Sequence, residues 1–148
     1  MSENVLKMKK MNEKTIIPSY QTDQSAGMDL TVIDYKRKEN DIVSFSTGLS
    51  VQIPENCFGM LCIRSGLGIK GNWILANSQG IIDSDYTGEV KIFLKYLGEN
   101  DIQEEIVSLM ETRVAQLIIV PYVKVEMKVV EKLNETERGE GGFGSTGK

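Results

Sequence analysis

Val90-Lys91-Ile92-Phe93-Leu94-Lys95-Tyr96 alternates lysine with apolar side chains, apart from Phe93. A period of two places the apolar set on one face and the ammonium groups on the other, as in a strand with one dry and one wet side. The same reading repeats outward from this segment. Residues 42–53 are rich in Val, Ile, Ser, Thr and Phe, and Pro54 closes them. Cys57 to Ile63 is another short apolar run. Leu117 to Leu133 reads as a pair of strands broken at Pro121, with Val123-Lys124-Val125-Glu126-Met127-Lys128-Val129 alternating cleanly. No stretch of about ten to twelve residues carries a helical stripe. The best helix candidate is Ser65-Gly66-Leu67-Gly68-Ile69-Lys70, about two turns at most. Short strands separated by turn residues predict an all-β sandwich or barrel.

A chain of 148 residues suits one domain with a full-sized core. Its 17 basic and 21 acidic residues leave a net charge of −4, against the basic face that a nucleic-acid partner requires. A small anionic substrate held by a few local donors remains compatible with that balance. The opening residues are polar and lysine-bearing, unlike a secretory signal, and the run from Cys57 to Ile63 is too short to span a bilayer. The expectation is a soluble, cytoplasmic protein that engages neither membrane nor nucleic acid. Histidine is absent. Histidine triads, histidine-bound zinc and imidazole acid–base chemistry are therefore excluded, leaving carboxylates, arginines, hydroxyls, backbone donors and a hard metal ion. Cys57 and Cys62 lie on opposite faces if their segment is one strand. That geometry forbids a mutual disulfide and predicts two small buried apolar residues.

Five segments could carry chemistry. Arg138-Gly139-Glu140-Gly141-Gly142-Phe143-Gly144-Ser145-Thr146-Gly147 holds five glycines in ten residues. It has little to bury, so residues 1–136 are expected to form the domain and 137–148 a flexible arm. Its amides, Arg138, Ser145 and Thr146 suit phosphate oxygens, and Phe143 suits a planar ring; a disordered tail is the alternative. Ala26-Gly27-Met28-Asp29-Leu30 offers Asp29 either to a metal-bound water or to a plain turn. Arg64-Ser65-Gly66-Leu67 offers either an anion site at a helix start or an ordinary N-cap, Ser65, beside a surface charge. In the stretch from Asn77 to Glu89, Asp83 follows two isoleucines. A carboxylate among apolar groups holds its proton more tightly and makes a better base near neutrality; an acidic hairpin turn with a core tyrosine is the alternative. Arg113-Val114-Ala115-Gln116 heads an apolar strand, and its arginine and glutamine, of opposite parity, are expected on opposite faces.

Each segment is weak alone, but their order and spacing are specific. The chain resembles the trimeric dUTPases, whose five ordered motifs are matched by AGMDL at 26–30, RSGL at 64–67, GIIDSDYTGE at 80–89, RVAQ at 113–116 and RGEGGFGSTG at 138–147. The resemblance implies a jelly-roll-like β-barrel of β-clip type with at most one short helix, assembled as a homotrimer with shared active sites. It implies hydrolysis of dUTP to dUMP and pyrophosphate, which keeps uracil out of DNA and supplies dUMP for dTMP synthesis. By resemblance, Asp83 activates the attacking water, and Asp29 and Gln116 hold Mg2+ through water. Arg64, Ser65 and Gly66 bind the inner phosphates, and Asn77, Gly80 and Ile82 bind uracil. Tyr86 lies beneath the deoxyribose. Phe143 stacks on uracil, and Arg138, Gly144, Ser145 and Thr146 close the arm over the phosphates. Departures include Ile63 where a proline is common, Gly68 where an alanine is common, and Trp73, for which the resemblance supplies no role. Two other readings compete: a dCTP deaminase of the same broad fold, and a binding module that uses the nucleotide as a switch.

Overall fold

The structure, a computed structural model, describes residues 4–144. Strand β8, Glu89–Tyr96, buries Val90, Ile92, Leu94 and Tyr96 and turns Lys91 outward, as its alternation predicts. It lies antiparallel to the longest strand, β4, Ile42–Gln52, in a register from Ile42 opposite Lys95 to Ser50 opposite Glu89. The far edge of β4 is shared by β3, Asp34–Arg37, along its first half and by β1, Lys7–Lys10, along its second. The other edge of β8 carries β6, Trp73–Leu75. A second sheet runs in the order β2, Gly27–Thr31; β9, Arg113–Pro121; β5, Cys57–Ile63; and β7, Gly80–Ile82.

Both sheets contribute to one apolar core. Val43, Phe45, Leu49, Val51, Ile92 and Leu94 come from the first sheet, and Met28, Leu30, Leu61 and Leu117 from the second. Burying each such side chain stabilises the fold by about 1.5–3 kcal/mol. Two antiparallel sheets packed face to face form the jelly-roll-like all-β architecture expected. Trp73 is completely buried, edge-on to Phe45 at 6.0 Å and tilted against Tyr96 at 4.9 Å. It is a core wedge that fastens the short β6 to the sheet. No helix among the described residues is long and apolar enough to cross a membrane.

Three expectations need correction. The described residues form two short helices: α1, Ser65–Lys70, where expected, and α2, Ile102–Leu109. Asp101 caps α2 by accepting from the Glu104 amide at 3.0 Å, and Ile106 and Leu109 are buried. An acid at the cap followed three residues on by Glu is an N-terminal signature. At eight residues, however, α2 is shorter than the stripe that periodicity needs. The alternating segment Val123–Val129 forms no strand, and Val123, Val125, Met127 and Val129 are 69–99% exposed. Alternation specifies a strand only where an edge is free to pair with it, and the described part of the chain offers none there. Cys57 and Cys62 are free and only half-buried. Cys62 lies on the outer face of the second sheet, level with Gln116.

Gly68 lies inside α1, and a Cβ built there meets nothing nearer than Ile63 Cγ2 at 3.4 Å. Gly68→Ala should therefore stabilise the protein by about 0.5–1 kcal/mol, read as a higher midpoint in thermal or urea unfolding. A lower midpoint would show that the helix turn is crowded from another side.

Candidate active site

The first cluster is built on a three-strand row. Asp29 on β2, Gln116 on β9 and Cys62 on β5 are register neighbours, so their side chains leave the same face. Next along β2, Gly27 makes room for Gln116: a Cβ there would lie 2.5 Å from Gln116 Oε1. The register then slips by one residue. Leu30 opposes Ala115 but Thr31 opposes Arg113, which leaves Val114 as the extra residue of a β-bulge. Val114 and Ala115 are both fully buried. The bulge thus reverses the parity expected for this segment and brings Arg113 to the face of Gln116.

Asp29 consequently meets two guanidinium groups, Arg113 Nη1 at 3.2 Å and Arg64 Nε at 3.6 Å. Arg64 is the cap residue of α1, in extended conformation, and its amide donates to Val114 O at 3.1 Å. Ser65 is the first helical residue and not the cap, so neither its hydroxyl nor its amide is used by the helix. Arg113 also donates to Gln21 Oε1 at 2.6 Å, a contact the sequence did not announce. Arg64, Ser65, Gly66, Lys70, Thr112 and Arg113 border a cavity of about 420 Å³. Three cations against one carboxylate give this hollow a positive balance suited to a polyanion. Lys70 was missed although it shares α1 with Ser65, and Thr112 because only the tertiary fold brings the residue before β9 to this cavity.

The second cluster is a cavity of about 300 Å³ bordered by Asn77, Gly80, Ile82, Asp83, Tyr86 and Lys91. It lies between two strand edges that have no partner among the described residues. β7 is the last strand of its sheet, and β6 ends at Leu75, level with Leu94 of β8. The Val90 carbonyl accepts from the Thr47 hydroxyl on the β4 side, while the Phe93 carbonyl accepts from the Ala76 amide on the other. Backbone groups alternate along a strand, so the Lys91 N–H and C=O point with those of Phe93, past the end of β6 and into this space. An adjacent donor and acceptor of this kind can read the edge of a planar amide ring. The sequence could not mark it, because the side chain is irrelevant to it. Asp83 stands exposed at the rim, so the apolar enclosure expected from its two isoleucines is not provided within one chain. Tyr86 donates from its hydroxyl to Glu89 O at 3.1 Å.

The two cavities share no bordering residue. Within the arm, Arg138 Nε donates to Gly141 O at 2.7 Å, and Phe143 is fully exposed, with Gly144 following at φ 88°. Ser145 and Thr146 lie outside the described residues. No group of three or more His, Cys, Asp or Glu residues able to hold a metal occurs among the described residues. Asp29 and Gln116 supply one carboxylate and one amide side by side. That set fits a hard cation that keeps its waters and takes its remaining ligands from a bound polyphosphate.

Residues 13–147 match the family model described as dUTPase. The deoxyuridine 5'-triphosphate nucleotidohydrolase of Nautilia profundicola is 42% identical over 144 residues, covering 97% of this chain and 99% of the relative. That of Clostridium tetani is 40% identical over 149 residues, the whole of both chains. Among solved structures, the dUTPase of Staphylococcus bacteriophage 80alpha with dUPNHPP is similar at a TM-score of 0.82 and 28% identity, covering 97% of this chain and 99% of that one.

The packing of Gln116 across Gly27 has a measurable consequence. Gly27→Ala should cost about 1–3 kcal/mol by overpacking. The cost should shrink when Gln116 is alanine as well, as a double-mutant cycle in urea would show. Equal costs in both backgrounds would mean that the added methyl strikes something else.

Proposed function

The chain belongs to the dUTPase family and is a dUTP diphosphatase, and from that premise we propose how its residues divide the reaction. The observation that carries the proposal is the cavity between the open edges of β7 and β8, with Asp83 at its rim. Uracil enters this slot beside Asn77, Gly80 and Ile82 and is read largely by backbone groups. Tyr86 forms the floor beneath the deoxyribose and leaves no room for a 2′-hydroxyl. Arg64, Ser65 and Gly66 hold the α- and β-phosphates in the positive hollow. Asp83 orients a water molecule and takes its proton as the oxygen bonds to the α-phosphorus. The bond from that phosphorus to the bridging oxygen breaks, pyrophosphate leaves and dUMP remains, with no covalent intermediate. Asp29 and Gln116 would hold Mg2+ through its waters, and the ion would neutralise phosphate charge. Residues 137–148 close as an arm: Phe143 stacks on the base, while Arg138, Gly144, Ser145 and Thr146 enclose the phosphates and exclude bulk water.

The same reading takes the enzyme as a homotrimer with shared sites, built from the 1–136 domain of each chain. Three features support it: the phosphate hollow and the nucleoside slot are separate within one chain, Phe143 reaches neither, and the apolar alternation of Val123–Val129 is unpaired. A second chain can supply the missing edge and the missing half of the site.

Pyrophosphate release should be much faster from dUTP than from dTTP, dCTP or UTP. Asp83→Asn should bind a non-hydrolysable dUTP analogue normally yet lose about 10²-fold or more in turnover. Undiminished turnover would remove Asp83 from the role of base. Removing residues 138–148 should leave the unfolding midpoint unchanged and abolish most activity. Refolding this truncated chain together with the Asp83→Asn chain should restore part of the activity if sites are shared between subunits, and none if each chain works alone.

A further inference from the structure

Gly88 follows Tyr86 by two residues and immediately precedes β8. A Cβ placed on it would lie 2.5 Å from Tyr86 Oη, 2.6 Å from Cζ and 3.0 Å from Cε2. Real Cβ atoms are not found so close to another heavy atom, so either the backbone or the ring would have to move. The backbone is held at Thr87 and at Val90, and the Glu89 side chain is held between them. Ser50 Oγ donates to Thr87 O at 2.5 Å, and the Gly48 amide donates to Glu89 Oε1 at 2.9 Å. One residue further, Thr47 Oγ1 donates to Val90 O at 2.6 Å. All three tethers run to β4, the central strand of the first sheet. The ring is freer: Tyr86 is about half exposed, and its hydroxyl makes one bond, to Glu89 O. The ring therefore rests on the bare Cα of Gly88, in a volume that any side chain at position 88 would occupy.

We propose that Gly88 is the positioning residue for Tyr86, and through it a determinant of the preference for a deoxyribose over a ribose. The proposal rests on the reading of Tyr86 as the floor under the sugar. A methyl group at 88 pushes the ring off its seat, breaks its bond to Glu89 O and opens the space in which a 2′-hydroxyl would fit. Because the displaced ring moves towards solvent, the change acts on the site more than on the fold.

The test compares Gly88→Ala, Tyr86→Ala and the double variant. The readouts are the ratio of kcat/KM for dUTP to that for UTP and the thermal midpoint. Gly88→Ala should lower the ratio about tenfold or more, Tyr86→Ala should do the same, and the double variant should be no worse than either. Any loss of midpoint caused by Gly88→Ala should vanish in the Tyr86→Ala background, where no ring is left to strike. A ratio preserved in Gly88→Ala but lost in Tyr86→Ala overturns the role of Gly88 alone. A ratio preserved in both removes Tyr86 from beneath the sugar, and the proposal with it. If Gly88→Ala does not fold, a folded double variant upholds the clash, and an unfolded one shows that the glycine serves the backbone instead.

Discussion

The antiparallel pairing of β4 with β8 is the constraint on which the molecule depends. Its register buries Val43, Phe45, Ile92 and Leu94 together, and a slip of one residue would turn that set to solvent. The pairing also reaches the site. Thr47, Gly48 and Ser50 of β4 hold Val90, Glu89 and Thr87, so the turn that carries Asp83 and Tyr86 hangs from the central strand. The end of β6 at Leu75 then leaves the Lys91 backbone groups free to face the cavity beside Asp83. Core packing and the open edge that borders the second cavity are two consequences of the way β8 pairs.

The second organising feature is the bulge at Val114. It inserts one residue into β9, and the parity of everything before it reverses. Arg113 therefore joins Gln116, Asp29 and Arg64 on one face. Asp29 lies between two guanidinium groups and has only about a tenth of its side chain exposed. It offsets the repulsion between them and fixes their direction, while the hollow keeps a positive balance.

What the single chain leaves undone is equally informative. A clean apolar alternation lies exposed from Val123 to Val129, an aromatic ring stands in solvent at Phe143, and Asp83 has no cover. Apolar surface of this regularity is costly to leave in water, and a strand with no edge gains no ladder. Two of these deficits, at Asp83 and Phe143, fall on residues that the proposed site needs, and the third is an apolar segment that a second chain could pair with.

Much was legible from residues alone. Alternation announced β8, and runs of β-branched and apolar residues announced β4 and β5, since such side chains suit a pleated surface. The run Ser65–Lys70 was legible as a short helix, although Arg64 and not Ser65 caps it, and the absence of histidine narrowed the chemistry. The ordered motifs named the family. Other features were not legible, because they are properties of pairing rather than of residues. Helix α2 escaped because eight residues carry too little period, although Asp101 and Glu104 signed its start. The parity of Arg113 and Gln116 was misread because a bulge is a relation between two strands, not a pattern in one. The Lys91 backbone slot and the failure of Val123–Val129 to pair each depend on where another strand ends, and the seat of Tyr86 on Gly88 depends on tethers to β4. Sequence determined which segments extend and which groups could do chemistry; tertiary structure decided which of them meet, because hydrogen-bond register and edge exposure exist only between segments.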